Sequence, residues 1–538
     1  MPCGPNRHPA GTWGNIHRGG IEWHQRARTP YPAERSLFME KTIPCRWFMG
    51  CNSQNGFYSL FGQFTRPEEG WRCILIKGGP GTGKSTLMKR VIKLALQRGQ
   101  PVEEIHCSSD AASLDGVILP RQRTVLLDAT PPHALEPQFP GAVEQPFSLC
   151  GCWDEELLFT RREKIVRLGR EISGLHWQAV RYLSGAGALL GEVRRLAAET
   201  LNWEKIEHYV QRLAARELPD RGKPGSEALR LLSAVTDRGT ILFHETISTL
   251  CERVICLEDP CGAAAAALLP RLRDEAVARG YHVISCPCPL SPEKLDHLLI
   301  PEAGLAFVTS NSLHRVPLAG RAIHAQRFTD DGSAIKSRRV RIRFLQKTAA
   351  TLLRQAELAI AEAHRRHDEL EEHYIGAMDF AEVDRLAEGL LKKLAAEHLD
   401  AARKKLCDLL CNYQGYRKCR VILVFDAYKV KGGLGSVEKY HNITIVYTKE
   451  AETADAYIER ATYEIGRQHR VRVATSDGPE QIIILGHGAL RLSASAFHEE
   501  MMEVQKQIGD TVWQNNRKNA NSGAVRAAME KAKEGGGC

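Results

Sequence analysis

From residue 71 onward, apolar positions alternate between short continuous runs and helical spacing. Cys73-Ile74-Leu75-Ile76 predicts a buried strand, and Leu87-Met88, Val91-Ile92 and Leu94-Ala95-Leu96 then recur as one face of a helix. Thr124-Val125-Leu126-Leu127 predicts a second strand, which ends on Asp128. The same rhythm returns at 254–257 and 305–308. Residues 155–217 and 337–394 keep helical spacing with many arginines, predicting long helical appendages. Beyond residue 399 come strands at 421–425, 442–447 and 471–474, and a helix over 454–465. Strand and helix in alternation predict an α/β chain with largely parallel sheets. Residues 1–38 show neither period. They read as disordered, or as upstream sequence from a misassigned start, with Met39-Glu40-Lys41 as the beginning.

The first strand and helix enclose Gly78-Gly79-Pro80-Gly81-Thr82-Gly83-Lys84-Ser85-Thr86. Glycines there let backbone N–H groups close around phosphate oxygens, and the helix N-terminus adds its positive end. In this pattern Lys84 reaches the β- and γ-phosphates, and the Ser85 hydroxyl ligates magnesium. Asp128, ending its own strand, is the expected second magnesium contact. Ala129 follows it, where many fast hydrolases carry a glutamate. The spacing therefore predicts a nucleoside triphosphate and magnesium as cofactors, with a slow switch, a kinase-type transfer or assisted hydrolysis, and no residue stands out to read the base. His106 and Asp110 follow another strand, either near the γ-phosphate or as turn and cap residues. Arg161 and Arg162 open a helix, as an arginine finger or as part of a solvated face.

Shifting the chain by 181 residues aligns 73–133 with 254–314 without a gap. Gly81/Gly262, Arg90/Arg271, Gly99/Gly280, Cys107/Cys288, Asp115/Asp296, Pro120/Pro301 and His133/His314 are identical. This is an internal duplication. The copies differ where the chemistry lies: Gly83-Lys84-Ser85 becomes Ala264-Ala265-Ala266, and Asp128 becomes Thr309. The second copy should keep the fold and bind no nucleotide. Asp115 and His133 persist in that copy and so read as structural.

Composition narrows the class. Apolar residues make up 43% and charged residues 25%, which excludes collagen-like, fully disordered and disulfide-scaffold proteins. No apolar run approaches the ~18 residues of a membrane span. The 16 cysteines read as free cytosolic thiols, so the expected location is cytoplasmic. Cys150-Gly-Cys152 and Cys286-Pro-Cys288 lack zinc-site spacing. Net charge is +9, and residues 401–538 carry 21 basic against 16 acidic side chains, which mildly favours an anionic partner there.

In the last segment a carboxylate follows each strand in turn: Asp426, then Glu452 and Asp455, then Asp477. Glu452 and Asp455 are three apart and would share one helical face. Carboxylates gathered at the C-terminal edge of a parallel sheet can hold magnesium and activate water for phosphodiester cleavage. They can equally be helix-terminal charges and turn residues.

Two resemblances follow from these motifs. Residues 45–395 resemble a family of uncharacterised bacterial tandem P-loop ATPases. The resemblance is carried by Asn55-Gly56-Phe57-Tyr58-Ser59-Leu60-Phe61, residues 77–86, His106-Cys107-Ser108-Ser109-Asp110, Asp115-Gly116-Val117-Ile118 and Asp128-Ala129-Thr130-Pro131-Pro132-His133. Val424-Phe425-Asp426-Ala427, residues 447–455, Ala474-Thr475-Ser476-Asp477 and Gly486-His487-Gly488-Ala489-Leu490-Arg491 resemble the YacP-type NYN domain, a PIN-like endoribonuclease fold. That second resemblance implies RNA or the ribosome as partner. It makes Asp455 and Asp477 catalytic, magnesium-holding carboxylates, supported by Asp426 and Glu452. The family opens on a central strand ending in Asp-Gly-Tyr-Asn, and nothing of that kind precedes residues 401–414. Loss of a mid-sheet strand leaves the hydrogen-bonding edges of both neighbours exposed.

The expected architecture is thus α/β: duplicated P-loop NTPase modules with helical appendages, then a PIN-like NYN domain. The expected boundaries are a disordered or misassigned 1–40, an intact module 41–220, a degenerate module 221–396, a truncated NYN domain 397–510 and a polar tail 511–538. The function this implies is an ATPase coupled to RNA binding or processing. A small-molecule phosphotransferase and an ATP-controlled RNA adaptor remain alternatives.

Overall fold

The computed structural model describes residues 43–131, 135–311, 313, 315–316, 320–330, 337–426, 435–450, 452–475, 489–509 and 511. The chain divides into two compact units, Met1–Leu391 and Lys392–Cys538. Among the described residues every cysteine is a free thiol, and no helix is long and apolar enough to cross a membrane.

The first unit opens on β1 (Cys45–Phe48) and a hairpin of β2 (Gly50–Ser53) and β3 (Gly56–Ser59). Next come β4 (Arg72–Lys77), α1 (Lys84–Gln97), β5 (Glu103–His106), β6 (Leu114–Leu119), β7 (Thr124–Asp128) and β8 (Glu144–Ser148). They form a six-stranded sheet in the order β1-β5-β6-β7-β4-β8, with β6 antiparallel to both of its neighbours. β4 pairs on both edges and is wholly buried from Cys73 to Ile76, which explains its unbroken apolar run. The α1 residues Leu87, Met88, Val91, Ile92 and Ala95 recur at helical spacing and are buried.

Three helices follow: α2 (Glu155–Thr160), α3 (Arg162–Ala198) and α4 (Trp203–Glu217). The order then repeats. β9 (Ser226–Leu229), the hairpin β10 (Ser233–Thr236) and β11 (Gly239–Leu242), α5 (His244–Leu250) and β12 (Arg253–Glu258) come first. α6 (Ala263–Ala278), β13 (His282–Pro287), β14 (Leu295–Ile300), β15 (Leu305–Ser310) and β16 (Arg321–His324) complete the second sheet. Its order, β9-β13-β14-β15-β12-β16, reproduces the first sheet strand for strand, with the same directions. Even the register break recurs 181 residues on, at Ile105/His106 and at Cys286/Pro287. A shared bulge at one offset is hard to reach by convergence, because bulges depend on local sequence.

In sequence each helical hairpin follows its own sheet; in space it packs on the other. α4 buries Ile206, Tyr209, Val210 and Leu213 against Leu268, Leu269 and Leu272 of α6. α7 (Arg339–Ile375) and the start of α8 (Phe380–Arg417) return to the first sheet, where Asp384 meets Arg90 of α1 at 2.6 Å. α3 and α7, each 37 residues long, lie side by side through Ala179, Leu183, Ala356, Ala359 and Ile360. Small residues at this seam let the two helix axes approach closely.

His282 in β13 is buried, and its Nδ1 lies 2.7 Å from the Ser226 hydroxyl in β9. Burial pulls the imidazole down from 6.5 to about 4. The folded unit holds this ring neutral, so its contribution is complete above pH 6.5 and is lost as the unfolded chain takes up the proton first. Urea titrations should show the first unit losing about 2–3 kcal/mol between pH 6.5 and 4, and His282→Gln should flatten that slope. An unchanged slope in the variant would exclude His282 as the titrating group.

The second unit contains the C-terminal part of α8, β17 (Ile422–Phe425), β18 (Ser436–Tyr440), β19 (Ile443–Tyr447), α9 (Ala454–Gly466), β20 (Arg472–Ala474) and β21 (Leu490–Leu492). Residues 494–509 are helical. Two separate sheets result: β17-β19-β18, and β20-β21. Among the described residues β17 is paired on one edge only, to β19, and β20 on one edge only, to β21. Cys407, Leu410, Tyr413, Ile443, Ile445, Met501 and Val504 form one core, while Val473 and Ala489 form a smaller one. Ile422, Leu423, Val424 and Phe425 are only half-buried, although such a run normally marks a strand covered on both faces. Among the described residues no strand pairing joins the sheet of β17 to the sheet of β20. Glu500 ties the two parts together by accepting from Tyr413 and Arg417 of α8 and from Arg472 of β20.

Candidate functional site

Residues 78–83 link β4 to α1, and the turn is made by Gly81 at φ +67° and Gly83 at φ +86°. Gly83 is the N-cap, and Lys84 is the first helical residue. The Thr82 hydroxyl closes the loop from within, donating to the Gly79 carbonyl at 2.9 Å. A Cβ on Gly78 would lie 2.6 Å from that hydroxyl, so only glycine fits. Lys84 bends back over the loop, and its Nζ donates to the carbonyls of Gly78 at 2.9 Å and Gly79 at 2.6 Å. The same Nζ lies 3.6 Å from Asp128 Oδ2, at the carboxyl end of β7.

Asp128 also accepts from the backbone N–H and the hydroxyl of Thr130. Burial raises its carboxyl, against Lys84 and Thr130, which lower it. The charge of Asp115 raises it further. One step beyond the Gly116↔Leu127 register, Asp115 stands beside Asp128 on β6. Sequence reasoning set Asp115 aside as structural; the sheet makes it a near neighbour of the candidate magnesium ligand. The Ser85 hydroxyl accepts from the Leu114 N–H at 3.2 Å, linking the helix start to the same strand.

His106 and Asp110 serve the turn that follows β5. The His106 Nδ1 lies 2.8 Å from the Ala111 carbonyl, and Asp110 accepts from the Ala112 N–H. Arg161 donates to the His373 carbonyl at 2.9 Å, at the end of α7. His133 lies outside the described residues.

The loop at the same offset in the second sheet is held differently. Asp259 stands where the first copy has Gly78, and it is buried. Its carboxylate accepts from the N–H groups of Gly262 and Ala265, each at 2.9 Å. Those donors match Gly81 and Lys84 of the first loop, so in the second loop a side chain of the loop itself takes up these N–H groups. Nearby, Lys294 is ion-paired with Asp296, the counterpart of Asp115. The offset of 181 carried this signal in the sequence, as Asp259 against Gly78.

In the second unit, Asp426 directly follows β17 and lies beside the loop that leaves β19, since Phe425 registers with Tyr447 and the Thr448 N–H reaches the Phe425 carbonyl. Thr453, not Glu452, opens the helix: its hydroxyl accepts from the Ala456 N–H at 3.2 Å. Glu452 therefore precedes α9 and shares no helical face with Asp455, which sits in the first turn. Its carboxylate pairs with Arg460 at 2.7 Å. Asp477 and residues 486–488 lie outside the described residues, as do residues 1–40 and nearly all of the tail.

The model of the YacP-like NYN domain family matches residues 387–534. The uncharacterized protein YacP of Bacillus subtilis (strain 168) is 40% identical over 119 residues, which make up 22% of this chain and 69% of that protein. Crystal structures of Rae1 (YacP) from Bacillus subtilis, one of the protein itself and one of a single-residue mutant, align at 35% identity with TM-scores of 0.20 and 0.21. Each alignment covers 25% of this chain and 80% of the other. Through its C-terminal segment, the chain belongs to the YacP-like NYN family.

Proposed function

We propose that this protein is an ATP-binding P-loop protein whose nucleotide state governs an RNA-binding or RNA-processing NYN domain. The observation that carries the nucleotide half is the loop itself: positive-φ glycines at Gly81 and Gly83, Lys84 folded over them, and Asp128 3.6 Å from its ammonium. This donor set fits a triphosphate with magnesium. The loop N–H groups and Lys84 would hold phosphate oxygens, and Ser85 and Asp128 the ion. The magnesium would neutralise charge on the transferring phosphoryl group. In this reading the second loop, closed by Asp259, is a decayed copy with a structural or regulatory role.

Membership of the NYN family supports the RNA half, with Asp455 and Asp477 as metal-holding carboxylates and Asp426 and Glu452 in support. The split between β17 and β20 favours the adaptor reading as the second possibility, in which RNA is held and not cut.

End-labelled RNA with magnesium separates the two. Under the processing reading, Asp455→Asn lowers the cleavage rate by about 100-fold and leaves RNA retention intact. ATP-dependent retention with no cleavage by the wild type would establish the adaptor. RNA retention that ignores ATP would refute the coupling.

A further inference from the structure

The first loop is not built by its own sheet alone. The Gly81 N–H donates to the Glu371 carboxylate of α7 at 3.2 Å. Tyr374 lies against Gly79, its ring 2.8 Å from where a Cβ would stand, and Ile375 sits equally close to Gly81. Val383 of α8 approaches Gly83, and Asp384 anchors that helix to Arg90. His367 Nδ1 lies 3.6 Å from the same Glu371 oxygen, one turn earlier on α7. The hairpin that follows the second sheet thus covers the phosphate position of the first.

The two copies make an internal comparison. Gly81 and Gly262 are equivalent, and in each loop that glycine N–H is bonded to a carboxylate. In the second loop the carboxylate belongs to Asp259, three residues away on the same turn, and has nowhere to go. In the first it arrives from a separate helix 290 residues away along the chain, on a side chain that is partly exposed. One site is locked and the other can exchange.

We infer that Glu371 holds the place of a nucleotide phosphate, so that α7 and a nucleoside triphosphate compete for one anion position. This rests on the P-loop reading above. Binding of the triphosphate expels the Glu371 carboxylate, because two anions cannot share the Gly81 N–H. Tyr374 and Ile375 must withdraw with it. The nucleotide is then read by the hairpin that continues as α8.

The test is equilibrium binding of fluorescently labelled ATP to the full chain, with magnesium. Glu371→Gln keeps the shape and removes the competing charge, and should tighten binding about tenfold. Hydrogen exchange of residues 365–375 in the wild type should rise on adding ATP, and should not rise in Lys84→Ala. Equal or weaker binding by Glu371→Gln, beside a wild type that binds, would overturn the competition alone. So would exchange that ATP leaves unchanged in a wild type that binds. If neither protein binds ATP, the nucleotide reading fails and the competition falls with it.

Discussion

Lys84→Ala is expected to lower ATP affinity about 100-fold or more, read by titration of the full chain with labelled nucleotide. A lysine–phosphate contact in a partly desolvated site contributes about 2–3 kcal/mol, and each 1.4 kcal/mol is tenfold. Lys84 is only 11% exposed and already faces the loop, so its ammonium needs no large movement to reach a phosphate there. The informative control is Ala265→Lys, which restores the missing lysine in the second copy. It should not confer binding, because Asp259 occupies the N–H groups of Gly262 and Ala265 and Ala265 itself is wholly buried. A Lys84→Ala protein that binds as tightly as the wild type would remove the P-loop reading. A second site in Ala265→Lys would show that the lysine alone had been lost, and that Asp259 is no barrier.

The second large effect is on stability. Arg230 is buried, and its guanidinium donates to Glu103 at 2.9 Å, to the Leu229 carbonyl at 2.9 Å and to Gln63 at 3.3 Å. It also stacks over the Phe64 ring at 5.6 Å. Glu103 belongs to β5 of the first sheet and Arg230 follows β9 of the second, so the ion pair joins the two halves of the unit. Arg230→Met should destabilise the first unit by about 3–5 kcal/mol, because it leaves the Glu103 carboxylate buried without its charged partner. Adding Glu103→Gln should recover much of that loss, since the uncompensated charge is then gone. Urea unfolding of the single and double variants decides it. A single-variant loss under about 1 kcal/mol would mean that water reaches the pair.

The two predictions mark what a linear reading reaches. The strand–loop–helix of residues 73–97 could be read from the sequence because its cause is local: an apolar run, glycines where the chain turns, and apolar residues recurring down one helix face. The repeated strand order could be anticipated for a similar reason, since the 181-residue spacing is a local property of the sequence. β9, which matches β1 at the same offset, extends the repeat beyond the stretch that sequence identity marked.

What escaped the sequence depends on contacts between distant segments. Asp115 looked structural because it persists in both copies, yet antiparallel pairing sets it beside Asp128. Glu452 looked like a helix-face partner of Asp455, but the Thr453 cap starts the helix one residue after Glu452. Glu371 carried no signal, being one acidic residue among many on a charged helix. The sequence by itself determined which loop has the residue types for phosphate chemistry, which copy lacks them, and which family supplies the last domain, because each is a matter of residue type at a local spacing. Only the tertiary structure decided that each hairpin crosses to the other sheet and that a carboxylate reaches Gly81 across 290 residues. Long-range packing is chosen by the fit of whole faces, and no single stretch of sequence encodes that fit.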